Sequence, residues 1–219
     1  SQLINSPLFK RLTFLYSHQT MSKRRETTKD RCERCAINIS MCFCDIIRPI
    51  HTKTKTSIIL HLKEYYLTSN TGRIANLCLE NSDYYIRGKI DQSIEAEFSE
   101  KGQYEPYYLY PSEEAEILNQ DFLNQRTKPI HLIVPDATWR QTKKFYKREP
   151  SLLNIPHLKL PNSGASIYEL RKQKNESGLC TIEAIAQAIG IIEGPEAKKH
   201  LLDVLKVMNE RVMQARAKR

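Results

Sequence analysis

The segment Ile130-His-Leu-Ile-Val-Pro-Asp-Ala-Thr-Trp139 contains the pattern that decides the fold. Its first six residues form a short apolar run, which predicts a buried strand. The polar segment Arg140-Gln-Thr-Lys-Lys144 comes next, at the start of a predicted helix. Asp136 is therefore expected at the carboxyl end of a strand, where open α/β sheets bind their ligands.

The rest of the chain repeats this alternation of short apolar runs and longer amphipathic segments. Strands are predicted at Ile130–Pro135 and also at Ser57–Leu62, Asp83–Ile86, Tyr107–Tyr110 and His157–Leu160. Helices are predicted at Gly72–Glu80, Ser112–Gln120, Arg140–Tyr146, Thr181–Ile191 and Glu196–Lys218. This order predicts an α/β domain with a largely parallel sheet flanked by helices.

Length and composition favour one large globular domain with a small N-terminal addition. The chain has 219 residues, of which 40% are hydrophobic and 27% charged. Residues 1–50 are expected to form a helical arm and a small cysteine module, and residues 51–219 the catalytic domain. The basic run Met21-Ser-Lys-Arg-Arg25 in the arm is equally compatible with a simple solvated tail.

The charge balance favours an anionic partner. Thirty-four Lys and Arg residues against 25 Asp and Glu give a net charge of +9, which fits nucleic acid through phosphate neutralisation. An unspecific basic surface is the alternative. No apolar stretch is long enough to span a membrane and no signal-peptide pattern is seen, so a cytoplasmic location is expected.

Four cysteines form a compact cluster near the N-terminus. Cys32, Cys35, Cys42 and Cys44 follow a C-x-x-C and C-x-C spacing within thirteen residues. Two short pairs joined by a loop can surround one tetrahedral Zn²⁺, and four protein ligands would make that ion structural rather than catalytic. Two disulfides are the alternative, but persistent disulfides are unusual in the expected compartment.

Several candidate site residues have equally ordinary explanations when the residues are considered alone. Asp136 can be a helix N-cap and Trp139 a core aromatic. The turn Asn70-Thr-Gly-Arg73 can present backbone N–H groups and a guanidinium to an anionic ligand, or simply cap a helix.

Taken together, the motifs resemble those of the DTW-domain family, named for its Asp-x-Thr-Trp motif. The matching segments are the four-cysteine cluster, His61-Leu-Lys-Glu64, Asn70-Thr-Gly-Arg-Ile-Ala75, Leu109-Tyr-Pro111, Asp136-Ala-Thr-Trp139 with Gln141, Ser166-Ile-Tyr-Glu-Leu-Arg171 and Cys180-Thr-Ile-Glu-Ala184. Leu62 and Cys180 depart from the family, which commonly has Pro and Ser there. The likeness covers residues 32 to about 190.

The resemblance implies a tRNA-uridine aminocarboxypropyltransferase with a SPOUT-like knotted α/β domain. Such an enzyme transfers the 3-amino-3-carboxypropyl group of S-adenosylmethionine to uridine N3. Because N3 carries a proton at neutral pH, the reaction needs a base, and Asp136 is our candidate. A zinc-containing RNA-binding module without catalysis and a SPOUT-type RNA methyltransferase are the alternatives.

By likeness to SPOUT-type sites, the donor is expected in loops at the strand ends. The predicted donor-binding residues are Leu109, Tyr110, Pro111, Asp136, Thr138, Trp139, Leu160, Ser166 and Thr181. The cations expected to contact RNA are Arg73, Arg140, Lys143 and Lys144.

Overall fold

A computed structural model of the chain describes residues 30–65, 67, 70–87, 98, 102–161 and 178–217. In this described part of the chain, six parallel strands form one sheet in the order β2-β1-β5-β3-β6-β4. The strands are β1 (Lys55–His61), β2 (Ser82–Arg87), β3 (Glu105–Leu109), β4 (Glu116–Ile117), β5 (Ile130–Asp136) and β6 (His157–Lys159). The predicted N-terminal helical arm lies outside the described residues.

Six α-helices are present among the described residues. They are α1 (Leu62–Tyr65), α2 (Thr71–Cys78), α3 (Gln120–Asn124), α4 (Trp139–Arg148), α5 (Thr181–Ile192) and α6 (Pro195–Ala217). Short 3₁₀ turns occur at Ile39–Met41 and Pro150–Leu152. The five predicted strands and the predicted helices that correspond to α2, α4, α5 and α6 are confirmed, with small shifts at their ends.

The predicted helix Ser112–Gln120 is wrong. Residues Glu116–Ile117 instead form the edge strand β4, where Glu116 pairs with Leu158 of β6. The helix of this region begins later, at Gln120, because the Asn119 side chain accepts a hydrogen bond from Phe122 N and caps α3 there. Sheet pairing at an open edge therefore outweighs the local apolar spacing.

Alternating side chains of the strands build a core on each face of the sheet. Ile58 and Leu132 face one side, which α2, α5 and α6 cover. Ile59 and Ile133 face the other side and pack with Phe145 of α4. The sequence of a strand buried on both faces is apolar at nearly every position. This explains the continuous apolar runs in β1 and β5.

The cysteine segment shares the core of the α/β domain. Ile37 and Phe43 are buried in the same cluster as Val204 and Leu205 of α6. Arg211 of α6 also donates to the backbone carbonyl of Cys42. The segment is thus packed against the C-terminal helix rather than suspended on a linker.

Two further sequence expectations concern topology and membranes. The knot depends on the course of the chain between β6 and α5, and residues 162–177 lie outside the described residues, so the knot stays a prediction. No helix in the described part of the chain has the length and apolar character needed to cross a bilayer.

Candidate active site

Asp136 is the last residue of β5 and its carboxylate is buried. Only 7% of the residue is exposed. Its side chain continues the alternation of Leu132 and Val134, so it faces the side of the sheet that carries α2 and α5. Oδ2 accepts a hydrogen bond from Asn70 Nδ2 at 2.8 Å, and Oδ1 accepts one from Thr181 Oγ1 at 2.6 Å.

The amide of Asn70 is fixed by a second set of contacts. Asn70 caps α2, because its Oδ1 accepts from Arg73 N at 2.7 Å. The Tyr84 hydroxyl donates to the same oxygen at 3.4 Å. Burial, reinforced by the negative charge of Asp136, raises the pKa of Tyr84, so this hydroxyl keeps its proton. Asn70 must therefore present its NH₂ group to Asp136.

Two helices begin beside the Asp136 carboxylate. Asn70 is the N-cap of α2, and Thr181 is the first residue of α5. Partial positive charge at helix N-termini favours a carboxylate in this position. Gly72 in the first turn of α2 permits the close approach, because a Cβ there would lie 2.9 Å from Asp136 Cγ. Asp136 thus ties α2 and α5 to the end of β5.

A cavity of about 710 Å³ opens at the carboxyl ends of β3, β5 and β6. Its size is in the range of sites for ligands of drug or cofactor size. Apolar groups form most of its wall, with threonine hydroxyls and two cations among them. The described residues of the wall are Leu109, Tyr110, Pro111, Val134, Pro135, Ala137, Thr138, Trp139, Arg140, Thr142, Leu158, Lys159, Leu160, Gly178, Leu179, Thr181 and Ala184.

Most of the predicted donor-binding residues come together in this cavity. Seven of them are in its wall: Leu109, Tyr110, Pro111, Thr138, Trp139, Leu160 and Thr181. Asp136 is not among the described residues of the wall and lies behind Thr181. Ser166 lies outside the described residues. Which ligand the cavity takes remains a prediction.

Trp139 stands at the rim of the cavity, at the start of α4. It is 57% exposed, which excludes the alternative role in the core. Its ring lies 6.0 Å from that of Tyr110 between centroids. Thr138, rather than Asp136, is the N-cap of α4, and both its N and its Oγ1 donate to Gln141 Oε1. This cap therefore stabilises the Asp-x-Thr-Trp turn without the Asp136 side chain. The Asp136 carboxylate instead bonds to residues at the starts of α2 and α5.

The predicted RNA-contacting cations fall into two environments. Arg140, Lys143 and Lys144 are exposed along α4, directly after Trp139. Arg73 is half-buried instead, where it donates to the carbonyl of Tyr65 and lies over its ring. The α4 surface also exposes Lys147 and Arg148, two cations that were not among the predicted RNA contacts.

The four-cysteine cluster has the geometry of a metal site. The Sγ atoms of Cys32, Cys35, Cys42 and Cys44 all lie within 4.8 Å of one another. The Cys32–Cys44 and Cys35–Cys42 distances between Sγ atoms are 3.7 and 3.9 Å. Zn–S bonds of about 2.3 Å in a tetrahedron place sulfurs about 3.8 Å apart, whereas a disulfide needs about 2.05 Å. The cluster fits zinc and not the two-disulfide alternative.

Sequence reasoning missed the partners of Asp136. Asn70 and Gly72 were recognised as parts of a turn, but nothing local connected that turn to a strand end 66 residues away. Ala184 of the cavity wall lies within the quoted Cys180-Thr-Ile-Glu-Ala184 segment, and helical spacing from Thr181 is the signal that could have found it.

Comparison with known proteins places the chain in a family. The DTW domain pattern matches residues 29–213, so the chain belongs to the DTW domain family. Sequence likeness to named proteins extends over most of the chain. No solved structure matches it.

The relatives share one kind of name. A tRNA-uridine aminocarboxypropyltransferase 2 from Mus musculus is 30% identical over 178 residues, which is 75% of this chain and 57% of that protein. A protein of the same name from Drosophila melanogaster is 26% identical and covers 80% of this chain and 71% of its own length. tRNA-uridine aminocarboxypropyltransferase A from Arabidopsis thaliana is 28% identical, covering 81% and 78%. The chain spans only 57% of the Mus musculus and Macaca fascicularis relatives.

Proposed function

We propose that the protein transfers the 3-amino-3-carboxypropyl group of S-adenosylmethionine to N3 of a uridine in tRNA. The observation that carries the proposal is the cavity at the carboxyl edge of the sheet, whose wall contains seven of the residues predicted to bind the donor. The names of the DTW relatives support a transfer of an aminocarboxypropyl group to a tRNA uridine, and the cavity is our candidate site for that reaction.

The cavity wall suits the two halves of S-adenosylmethionine. Apolar side chains such as Leu109, Leu158 and Leu160 offer a surface for the adenine ring. Arg140 and Lys159 offer positive charge for the carboxylate of the methionine half. Which carbon of the sulfonium is attacked depends on which one the wall holds toward the nucleophile, so the choice between aminocarboxypropyl and methyl transfer depends on how the cavity orients the donor.

Asp136 is our candidate for the base that removes the N3 proton. Its carboxylate is held beside two helix N-termini by Asn70 and Thr181, an arrangement that stabilises the ionised form. A general base of this kind contributes roughly 10²–10⁴-fold to a rate.

The exposed face of α4 is the proposed docking surface for tRNA. Trp139 stands at the cavity rim, followed by Arg140, Lys143 and Lys144 on the same helix. An exposed aromatic ring beside a row of cations suits a stacked base with neighbouring phosphates. Contact there would direct the flanking nucleotides over the cavity mouth.

Zinc is the proposed occupant of the four-cysteine cluster, with Cys32, Cys35, Cys42 and Cys44 as its ligands. Four ligands close the coordination sphere, so the ion would brace the segment against α6 and take no part in transfer. Metal analysis should give one zinc per chain. A chain that is folded and free of metal after purification without chelator would contradict this assignment.

The reaction is tested by the small-molecule product. Unmodified tRNA is incubated with the protein and S-adenosylmethionine, and the nucleoside thioethers released are separated by chromatography. Methylthioadenosine is the expected product, because transfer of the aminocarboxypropyl group leaves it behind. S-adenosylhomocysteine would instead indicate a methyltransferase. Salt-sensitive tRNA binding with neither product would favour the RNA-binding module.

A variant that fills the cavity connects the product to the site. Ala184→Phe introduces a ring into the wall and is expected to abolish release of methylthioadenosine. Gln187→Phe adds the same ring one turn further along α5, at a residue outside the described wall, and serves as the control. If Ala184→Phe released methylthioadenosine as fast as Gln187→Phe and the wild type, the reaction would have to occur outside this cavity.

A further inference from the structure

One hydroxyl group connects the Asp136 carboxylate with the cavity. Thr181 is part of the cavity wall, and its Oγ1 donates to Asp136 Oδ1 at 2.6 Å. Asp136 itself is 7% exposed and is not among the described residues of the wall. Among the described residues, Thr181 therefore lies between a ligand in the cavity and the Asp136 carboxylate.

The surrounding hydrogen bonds fix the direction of this contact. Because Asn70 Nδ2 donates to Asp136 Oδ2, the carboxylate acts as an acceptor toward α2. It also accepts from Thr181, because Thr181 Oγ1 donates to Asp136 Oδ1. A threonine hydroxyl has one proton and two lone pairs. With that proton directed at Asp136, the lone pairs of Oγ1 can accept a hydrogen bond from a donor in the cavity.

We propose that Thr181 is a catalytic residue that relays the proton of uridine N3 to Asp136. The inference rests on the proposed function and adds the route by which a buried base reaches its substrate. It assigns to Thr181 a role in proton transfer beyond the donor contact that the motif implies.

The step balances in atoms and charge. The N3–H bond breaks and its proton moves to Thr181 Oγ1, while the proton that Oγ1 held moves to Asp136 Oδ1. The N3 electron pair forms the bond to the γ-carbon of the methionine half, and the electrons of the Cγ–S bond go to sulfur. The sulfonium becomes a neutral thioether as the carboxylate becomes a neutral acid.

The test compares Thr181→Val with Thr181→Ser in the full chain. Valine keeps the branched shape without the hydroxyl, and serine keeps the hydroxyl without the methyl group. Formation of modified uridine in tRNA is followed in a single turnover from about pH 6 to about pH 9. Binding of S-adenosylmethionine and of tRNA is measured beside it.

The relay predicts a pH-dependent loss confined to the valine variant. Near pH 7 its rate should fall about 100-fold, as removal of general-base catalysis does. The deficit should shrink at alkaline pH, where N3 loses its proton to solvent. The single-turnover rate of Thr181→Ser should stay within about threefold of the wild-type rate. The affinities of this serine variant for S-adenosylmethionine and for tRNA should be unchanged.

A double variant provides a second, independent readout. Asp136→Asn should lose activity to a similar extent, and Thr181→Val combined with Asp136→Asn should be no slower than the slower single variant. Groups that act in one relay give such non-additive effects. Additive losses would overturn the relay. Should the valine variant fail to fold, Thr181→Ala replaces it.

Several results would overturn the proposal. A valine variant as fast as the wild type would do so, as would equal losses for valine and serine at every pH, which indicate packing. If Thr181→Val increased only the KM for S-adenosylmethionine, Thr181 would bind the donor and take no part in proton transfer. Failure of the proposed function looks different, because the wild type itself would then form no aminocarboxypropyl-uridine.

Discussion

Strand β5 carries a buried polar residue near each end, and the two residues have different surroundings. His131 near the amino end is 1% exposed, and Asp136 at the carboxyl end is 7% exposed. His131 contacts Ser57 Oγ through Nε2 at 2.7 Å and the Phe98 carbonyl through Nδ1 at 2.8 Å. Asp136 accepts comparable bonds from two of the described residues, namely Asn70, which caps α2, and Thr181 of α5.

The difference between the two ends is their position relative to the cavity. Both residues satisfy the rule that buried polar groups are hydrogen-bonded, so burial and bonding alone do not identify a functional group. Of the two, only Asp136 lies at the edge where parallel sheets bind ligands. Its carboxylate bonds to the hydroxyl of Thr181, which is part of the cavity wall. We therefore expect changes at the carboxyl end to alter catalysis and changes at the amino end to alter stability.

The largest effect is expected from Gly72→Ala. The added Cβ would lie 2.9 Å from Asp136 Cγ, so the carboxylate must move. A displacement of this kind can cost about 100-fold in kcat, which steady-state kinetics would measure. Gly190→Ala is the matched control, because its Cβ would lie 2.7 Å from Lys198 Cβ on α6, away from the site. Both variants should melt earlier than the wild type, but only Gly72→Ala should lose activity.

His131→Leu should affect stability alone. The change removes the partner of the Ser57 hydroxyl and of the Phe98 carbonyl. Leaving buried polar groups unpaired costs about 2 kcal/mol in the free energy of unfolding, measurable by urea denaturation. The kcat should stay within about twofold of the wild type. Lost activity at unchanged stability would contradict the assigned difference between the two ends.

The pH dependence of stability sharpens the same comparison. Burial lowers the pKa of His131 from 6.5 to about 4 in the folded protein. Between these values the unfolded chain binds the proton more readily, so this contribution to stability is present above pH 6.5 and is lost as the pH falls toward 4. Urea denaturation at several pH values should show that the free energy of unfolding falls more steeply with decreasing pH for the wild type than for His131→Leu.

The smallest effect is expected on the α4 surface. Lys143→Ala combined with Lys144→Ala should weaken tRNA binding by a few fold and lower the slope of log Kd against log salt by up to about 2. Lys128→Ala combined with Lys206→Ala removes the same charge from exposed residues elsewhere. Equal slopes for the two double variants would mean that tRNA does not dock on α4.

Much of this arrangement was predictable because it is local. The cysteine spacing places four thiols in one segment, and the apolar run before Asp136 fixes that residue at a strand end. The capping role of Asn70 was one of two interpretations of its turn, the other being an anion-binding site. These features depend on contacts within a few residues of each other.

The remaining features depend on the order of the strands. Asn70 and Thr181 lie 66 and 45 residues from Asp136 in sequence and meet it only after the sheet has formed. Strand β4 was missed because its pairing is supplied by β6, not by its own residues. The exposure of Trp139 likewise follows from where α4 begins at the cavity rim.

The most direct test of this account is mass spectrometry of nucleosides from tRNA treated with the wild type, Asp136→Asn and His131→Leu. With S-adenosylmethionine present, we expect aminocarboxypropyl-uridine from the wild type and from His131→Leu, and about 100-fold slower formation of it by Asp136→Asn. A uridine that carries only a methyl group, or equal product from Asp136→Asn and the wild type, would contradict the account.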